Sequence, residues 1–167
     1  MKQEAVLVIV KPDGINKQLA DKVLWKFAKA NLQIIAARVT RARLEQAKEH
    51  YQHIRTQPFF GETVGLLMGE FHRQKEILLL VYRGTDAIRK CRRIAGATNP
   101  REASAQSIRG LYGAVTQKGV FENVVHVSSS STEARREIQL WFEPGDIAID
   151  LYPTKTKTLS MKKRIWK

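Results

Sequence analysis

AVLVIVKPDG, Ala5–Gly14, decides the fold. Ala5–Val10 is an unbroken apolar run rich in β-branched residues, the pattern of a strand buried on both faces. Pro12 stops it: a proline has no N–H for a ladder and pushes the preceding Lys11 into extended geometry. Lys11 therefore ends the strand with its ammonium at the rim of the sheet, and Asp13-Gly14 turns away behind it. A strand covered on both faces needs helices on either side.

The chain supplies them. From Leu19, the residues Leu19, Val23, Leu24, Phe27 and Ala28 recur at helical spacing, with Lys22, Lys26 and Lys29 off that stripe. Asn31 closes this helix, Leu32–Val39 reads as a second strand, and Arg43–His53 returns to helix, followed by a shorter one near Phe59–Met68. Ile77–Tyr82 repeats the buried-strand pattern, and Thr85–Ala95 follows as a helix starting on Thr85 or Asp86. Gly96–Gly119 lacks periodicity and is punctuated by Gly96, Pro100, Gly110, Gly113 and Gly119, so it reads as a long ordered loop. Asn123–Val127 is a fourth short strand, and Ser130 with Glu133 has capping-box spacing ahead of Ala134–Gln139.

This order predicts an α+β fold of the ferredoxin-like kind: a βαββαβ core, a four-stranded antiparallel sheet covered by helices, and additional short helices. One domain spans residues 1–150, with a basic C-terminal tail at 151–167.

Net charge is +13 over 167 residues. Leu151–Lys167 contributes +6 of it with no acid, which leaves +7 on the body. A basic body suits a polyanionic ligand such as a nucleotide, and a basic tail suits a solvated extension or a weak nucleic-acid contact. With no apolar run long enough to span a bilayer, no signal peptide pattern and a single cysteine, Cys91, the reading is a cytoplasmic, reduced protein without membrane attachment.

Lys11, at the rim of the sheet, is the first candidate to carry chemistry, and His126 with Glu137 are the others. His126 follows Val124 and Val125 and precedes a serine-rich helix start, where backbone amides attract anions. A neutral imidazole is a competent nucleophile near pH 7, and a carboxylate on its other nitrogen fixes the tautomer; Glu137, on the following helix, can reach back to do this. Of Arg89, Lys90, Arg92 and Arg93, only one or two can point at a site, and Arg92 and Arg109 suit a phosphoryl group whose charge spreads over three oxygens. The bland alternatives are a strand-terminating Lys11, a core His126 and a solvated arginine face; His50, His53 and His72 have weaker claims still. The P-loop, the protein-kinase glycine loop and the Rossmann fingerprint are all absent, so a nucleotide would have to be held another way.

Six stretches in order, VIVKPDG (Val8–Gly14), HYQHIRTQPFF (His50–Phe60), GATNP (Gly96–Pro100), SIRG (Ser107–Gly110), NVVH (Asn123–His126) and EARREIQLWF (Glu133–Phe142), resemble the nucleoside diphosphate kinase family. The resemblance implies that His126 is phosphorylated, that Glu137 holds its other nitrogen, and that Lys11, Tyr51, Arg92, Thr98, Arg109 and Asn123 surround the phosphates and ribose. It makes Phe59 the aromatic that stacks on the base, which suits weak discrimination among bases. It implies ping-pong transfer between nucleoside tri- and diphosphates, Mg2+ carried by the nucleotide phosphates, and a homo-oligomer.

The chain also departs from the family's pattern. Val127, Ser128 and Ser129 stand where Gly-Ser-acid is usual, so Ser128 keeps the hydroxyl, which the resemblance counts among the substrate-binding groups, and Ser129 lacks the acid. His53 replaces a usual acid, and Phe71–Glu76 and Tyr112–Phe121 are longer than in common members. Two rivals compete with the kinase: an RNA-binding sheet, whose aromatic motif is missing here, and an inactive scaffold, whose nucleophile or phosphate ligands would be lost, whereas all are present.

Overall fold

The computed structural model describes residues 3–117, 119–158 and 160. In chain order its elements are β1 (Gln3–Val10), α1 (Pro12–Asn16), α2 (Ala20–Ala28), β2 (Gln33–Arg41), α3 (Leu44–His50), α4 (Phe60–Met68), β3 (Glu76–Thr85), α5 (Ala87–Ala95), α6 (Ile108–Tyr112), β4 (Ala114–Val115), β5 (Phe121–Glu122), β6 (Val125–Val127) and α7 (Ser131–Trp141). Short 3-10 turns cover Gln52–Ile54 and Pro144–Asp146. Four strands form one sheet in the order β2-β3-β1-β6, every neighbouring pair antiparallel. That is the ferredoxin-like α+β architecture expected from the sequence.

Alternation along β1 builds both cores. Val6, Val8 and Val10 face one side with Val23 and Phe27 of α2 and Ile88, Cys91 and Ala95 of α5. Leu7 and Ile9 face the other side with Ala47 of α3, Leu67 of α4 and Ile138 and Trp141 of α7. Side chains two residues apart share a face of a strand, so a continuous apolar run serves two helical layers at once. Burying each large apolar side chain contributes about 1.5–3 kcal/mol, which makes β1 the spine of the domain.

Several local readings are corrected. Asp13-Gly14 lies inside helix α1 rather than in a turn, because Pro12 at its first position suits a helix start. Thr85 belongs to β3, and Asp86 begins α5 in the left-handed region. The helix read over Arg43–His53 stops at His50 and continues as the 3-10 turn. Gly96–Gly119 is not all loop: it contains α6 and β4. The last strand is Val125–Val127 only, since Val124 has φ 67° and breaks the ladder. Ser130 caps α7 by accepting from the Glu133 N–H, but the Glu133 carboxylate turns to Arg136 rather than back to the cap.

Leu151 and Tyr152 pack against the second core. Of the basic tail, Lys155 and Lys157 are exposed, while Lys162, Lys163, Arg164 and Lys167 lie outside the described residues. No helix among the described residues is long and apolar enough to cross a membrane.

Candidate active site

β6 pairs with β1 so that Ile9 faces His126 and Val10 faces Val125. Val125 and Val127 point into the α2/α5 core. Alternation therefore turns His126 to the opposite face, where α3 and α7 supply its neighbours.

There, His126 Nε2 lies 3.0 Å from Glu137 Oε1. The other oxygen of the same carboxylate accepts a 2.5 Å hydrogen bond from the Ser128 hydroxyl, which in turn accepts from the Leu7 N–H at 3.1 Å. Glu137 is 1% exposed. Burial alone would push its carboxyl up, but the His126 ring, the Ser128 hydroxyl and Arg136 outweigh that and hold it below the ordinary value. An ionised Glu137 requires a proton on Nε2 of a neutral His126, which leaves the lone pair on Nδ1. Among the described residues Nδ1 has no hydrogen-bond partner.

Three cations that the sequence offers lie near one another, Arg109 acting on both Lys11 and Arg92. Lys11 is buried at the end of β1; burial lowers its pKa, Asp13 opposes that, and nearby Arg109 adds to it. Arg109, on α6, donates from Nη1 to the Gly96 carbonyl at 2.8 Å and from Nη2 to the Val125 carbonyl at 2.9 Å. It is therefore tied to the strand that carries His126, and its buried Nε has no partner among the described residues. Burial, with Arg92 next to it, lowers Arg109 to about 10. Arg92 itself is exposed on α5. Asn123 is buried and donates to the Thr98 carbonyl at 2.8 Å, fixing the exposed Thr98 against the start of β6.

Rings from the end of α3 stand against His126. Tyr51 stands edge-on to His126 with centroids 6.3 Å apart; burial first, then Asp13 and Glu137, raises its hydroxyl pKa and keeps it a donor. Phe59 is 48% exposed just before α4, presenting a ring to solvent. His53 is exposed and tilted against Tyr51. His50, whose weight in the sequence was low, is fully buried with its ring 4.3 Å from that of His126. No spacing signal links these two; only the fold brings them together.

His50, His126 and Glu137 bring ligand-type atoms within 4.8 Å of one another. Trp141 Nε1 donates to His50 Nδ1 at 3.2 Å, so a neutral His50 carries its proton on Nε2 and presents a donor rather than a metal ligand. Asp13 and Glu137, the buried carboxylates here, are both engaged, Asp13 by the Val124 N–H. A separate cleft of about 750 Å³ beside Arg83, Arg135 and Tyr152 holds no histidine.

Comparison with known proteins gives a consistent result. The model of the family described as nucleoside diphosphate kinase matches residues 4–147. A nucleoside diphosphate kinase of Bacillus licheniformis is 37% identical over 147 residues, which is 88% of this chain and 93% of that protein. The human nucleoside diphosphate kinase 3 is 32% identical, over 86% of this chain and 80% of its own. The Aquifex aeolicus nucleoside diphosphate kinase structure superposes with TM-score 0.78 at 35% identity, covering 87% of this chain and 99% of that one. A transition state mimic of the Borrelia burgdorferi nucleoside-diphosphate kinase with bound vanadate and ADP superposes with TM-score 0.78 at 26% identity, covering 92% and 93%.

Proposed function

Because the chain belongs to the nucleoside diphosphate kinase family, we propose that His126 Nδ1 is the atom that carries the phosphoryl group. The family's reaction, ping-pong transfer of a γ-phosphoryl from a nucleoside triphosphate to a nucleoside diphosphate through a phosphohistidine, is this chain's. The Nδ1 lone pair attacks the γ-phosphorus, the N–P bond forms as the bond to the β-phosphate oxygen breaks, and the diphosphate leaves with that electron pair. The ring becomes cationic on attack, and Glu137, fixed by Ser128, stabilises it through Nε2–H. A second diphosphate reverses the step with its own terminal oxygen.

Lys11, Arg92 and Arg109 gather the charge that develops on the transferred group, while Tyr51, Thr98 and Asn123 orient phosphates and ribose and Phe59 stacks on the base. With both buried carboxylates engaged, neither is left to hold a metal, so a Mg2+ ion would come with the nucleotide phosphates and would supply charge neutralisation there. The same reading takes residues 1–150 as the catalytic domain of a cytoplasmic homo-oligomer. It takes 151–167 as an extension whose charge suits a weak nucleic-acid contact, tested by salt-dependent RNA binding that falls on deleting Leu151–Lys167.

The single observation that supports the assignment is the Ser128–Glu137–His126 chain, which leaves one ring nitrogen nucleophilic. Incubation with radiolabelled ATP tests it: the expected product is an acid-labile, base-stable protein phosphate that GDP removes. His126→Ala should abolish it with folding nearly intact, and turnover retained in that variant would contradict the assignment.

A further inference from the structure

Two residues before His126, Val124 has φ 67°, in the left-handed region. A β-branched residue is strained there and persists only where its surroundings hold it. Its side chain is wholly buried.

What holds it comes from one short segment far away in sequence. The Val124 N–H donates to Asp13 Oδ2 at 2.8 Å, and its carbonyl accepts from the Lys11 N–H at 2.8 Å. Asp13 is 1% exposed. A Cβ on Gly14 would stand 2.9 Å from Val124 Cγ1 and 3.2 Å from the Val124 carbonyl oxygen, so only glycine lets α1 lie this close. The peptide leading into β6 is thus gripped at its N–H, its carbonyl and its side chain by Lys11–Gly14. Released from that grip, Val124 would relax to φ below zero, and the strand start that aims Asn123 and His126 would turn with it.

We propose that Asp13 is a positioning residue for phosphoryl transfer, acting through Val124 to set where β6 begins and hence where the His126 ring points. The inference rests on His126 being the phosphoryl carrier. Asp13 also places Oδ1 3.9 Å from the Lys11 ammonium, so its hydrogen bond and its charge must be separated by experiment.

Single-turnover phosphorylation of the full chain by radiolabelled ATP does so, with Asp13→Asn and Asp13→Ala, and with Asp13→Ala repeated in a Val124→Gly background. Asparagine keeps an oxygen for the Val124 N–H and drops the charge; glycine in place of Val124 adopts positive φ unaided. Asp13→Ala should lower the phosphorylation rate constant on the order of 10²-fold, the scale of a small misplacement of reacting atoms, with nucleotide KM close to the wild type. Asp13→Asn should recover at least about tenfold of that loss, and Asp13→Ala should cost much less in the Val124→Gly background than in the wild-type one.

A wild-type rate in Asp13→Ala, an Asn variant no better than Ala, or an equal Ala cost in both backgrounds would each overturn the proposal. Thermal melts identify an Ala variant that does not fold; Asp13→Asn then decides, and a loss on the order of 10²-fold in that variant would overturn it. A wild-type chain that takes up no acid-labile phosphate would instead sink the His126 assignment.

Discussion

The buried His50 ring stands edge-on to His126 with 74° between their planes, and its Nδ1 accepts the indole N–H of Trp141. Burial first, then the neighbouring His126 and Arg136, hold His50 well below the ordinary histidine value of 6.5. The native state therefore refuses a proton that the unfolded chain accepts. Unfolding gains that proton as pH falls below about 6.5, so stability drops with falling pH through this window. Thermal melts should show the drop, and His50→Gln should flatten it; an unchanged pH slope in the variant would count against a neutral, tautomer-locked His50.

Removing the charge behind His126, the proposed nucleophile, should slow the chemistry. Glu137→Gln keeps an oxygen for Nε2–H but not the anion that stabilises a cationic ring, so the phosphorylation rate should fall on the order of 10²-fold, about 2.7 kcal/mol of barrier. Ser128→Ala leaves the Leu7 N–H and one Glu137 oxygen without their partner and should cost about 1–3 kcal/mol of stability as well. Stopped-flow phosphorylation and denaturant titration check the two effects separately.

Arg109 and Arg92 should differ. Arg109 bridges the Gly96 and Val125 carbonyls, a two-pronged contact that lysine cannot reproduce. Arg109→Lys is expected to lose both activity and about 1–3 kcal/mol of stability, whereas Arg92→Lys, on an exposed face, should lose activity alone. Equal melting temperatures for the two variants would contradict this division.

In the proposed reaction Lys11 acts as a cation, and burial depresses its pKa. It loses its charge below the ordinary lysine value of 10.5, so kcat/KM should decline on the alkaline side before that pH is reached. Lys11→Arg should move that limb upward, and Lys11→Ala should cost about 3 kcal/mol of transition-state stabilisation. A loss confined to KM would remove Lys11 from that role.

The fold was legible because β1 signals its own burial: six consecutive apolar residues, mostly β-branched and stopped by Pro12, read as a doubly covered strand, and helical stripes follow it. His126 and Glu137 were legible as a strand-end imidazole and a carboxylate on the next helix. Helix α6 was not, because five residues capped by Ser107 carry too little periodicity and its glycine reads as a breaker. In fact Gly110 is there because a Cβ would collide with the Ser104 carbonyl. His50 was missed because its partners, Trp141 and His126, are distant in sequence, and the left-handed Val124 because nothing local favours it in a valine.

Glu137 occupies one imidazole nitrogen of His126, and the proposed reaction uses the other. Phosphorus NMR of the ATP-treated protein, with model phosphohistidines as standards, reads the linkage directly. The expected signal is an Nδ1-linked phosphohistidine that disappears on adding GDP and is absent from His126→Ala; an Nε2-linked phosphate, or the same signal in that variant, would contradict it.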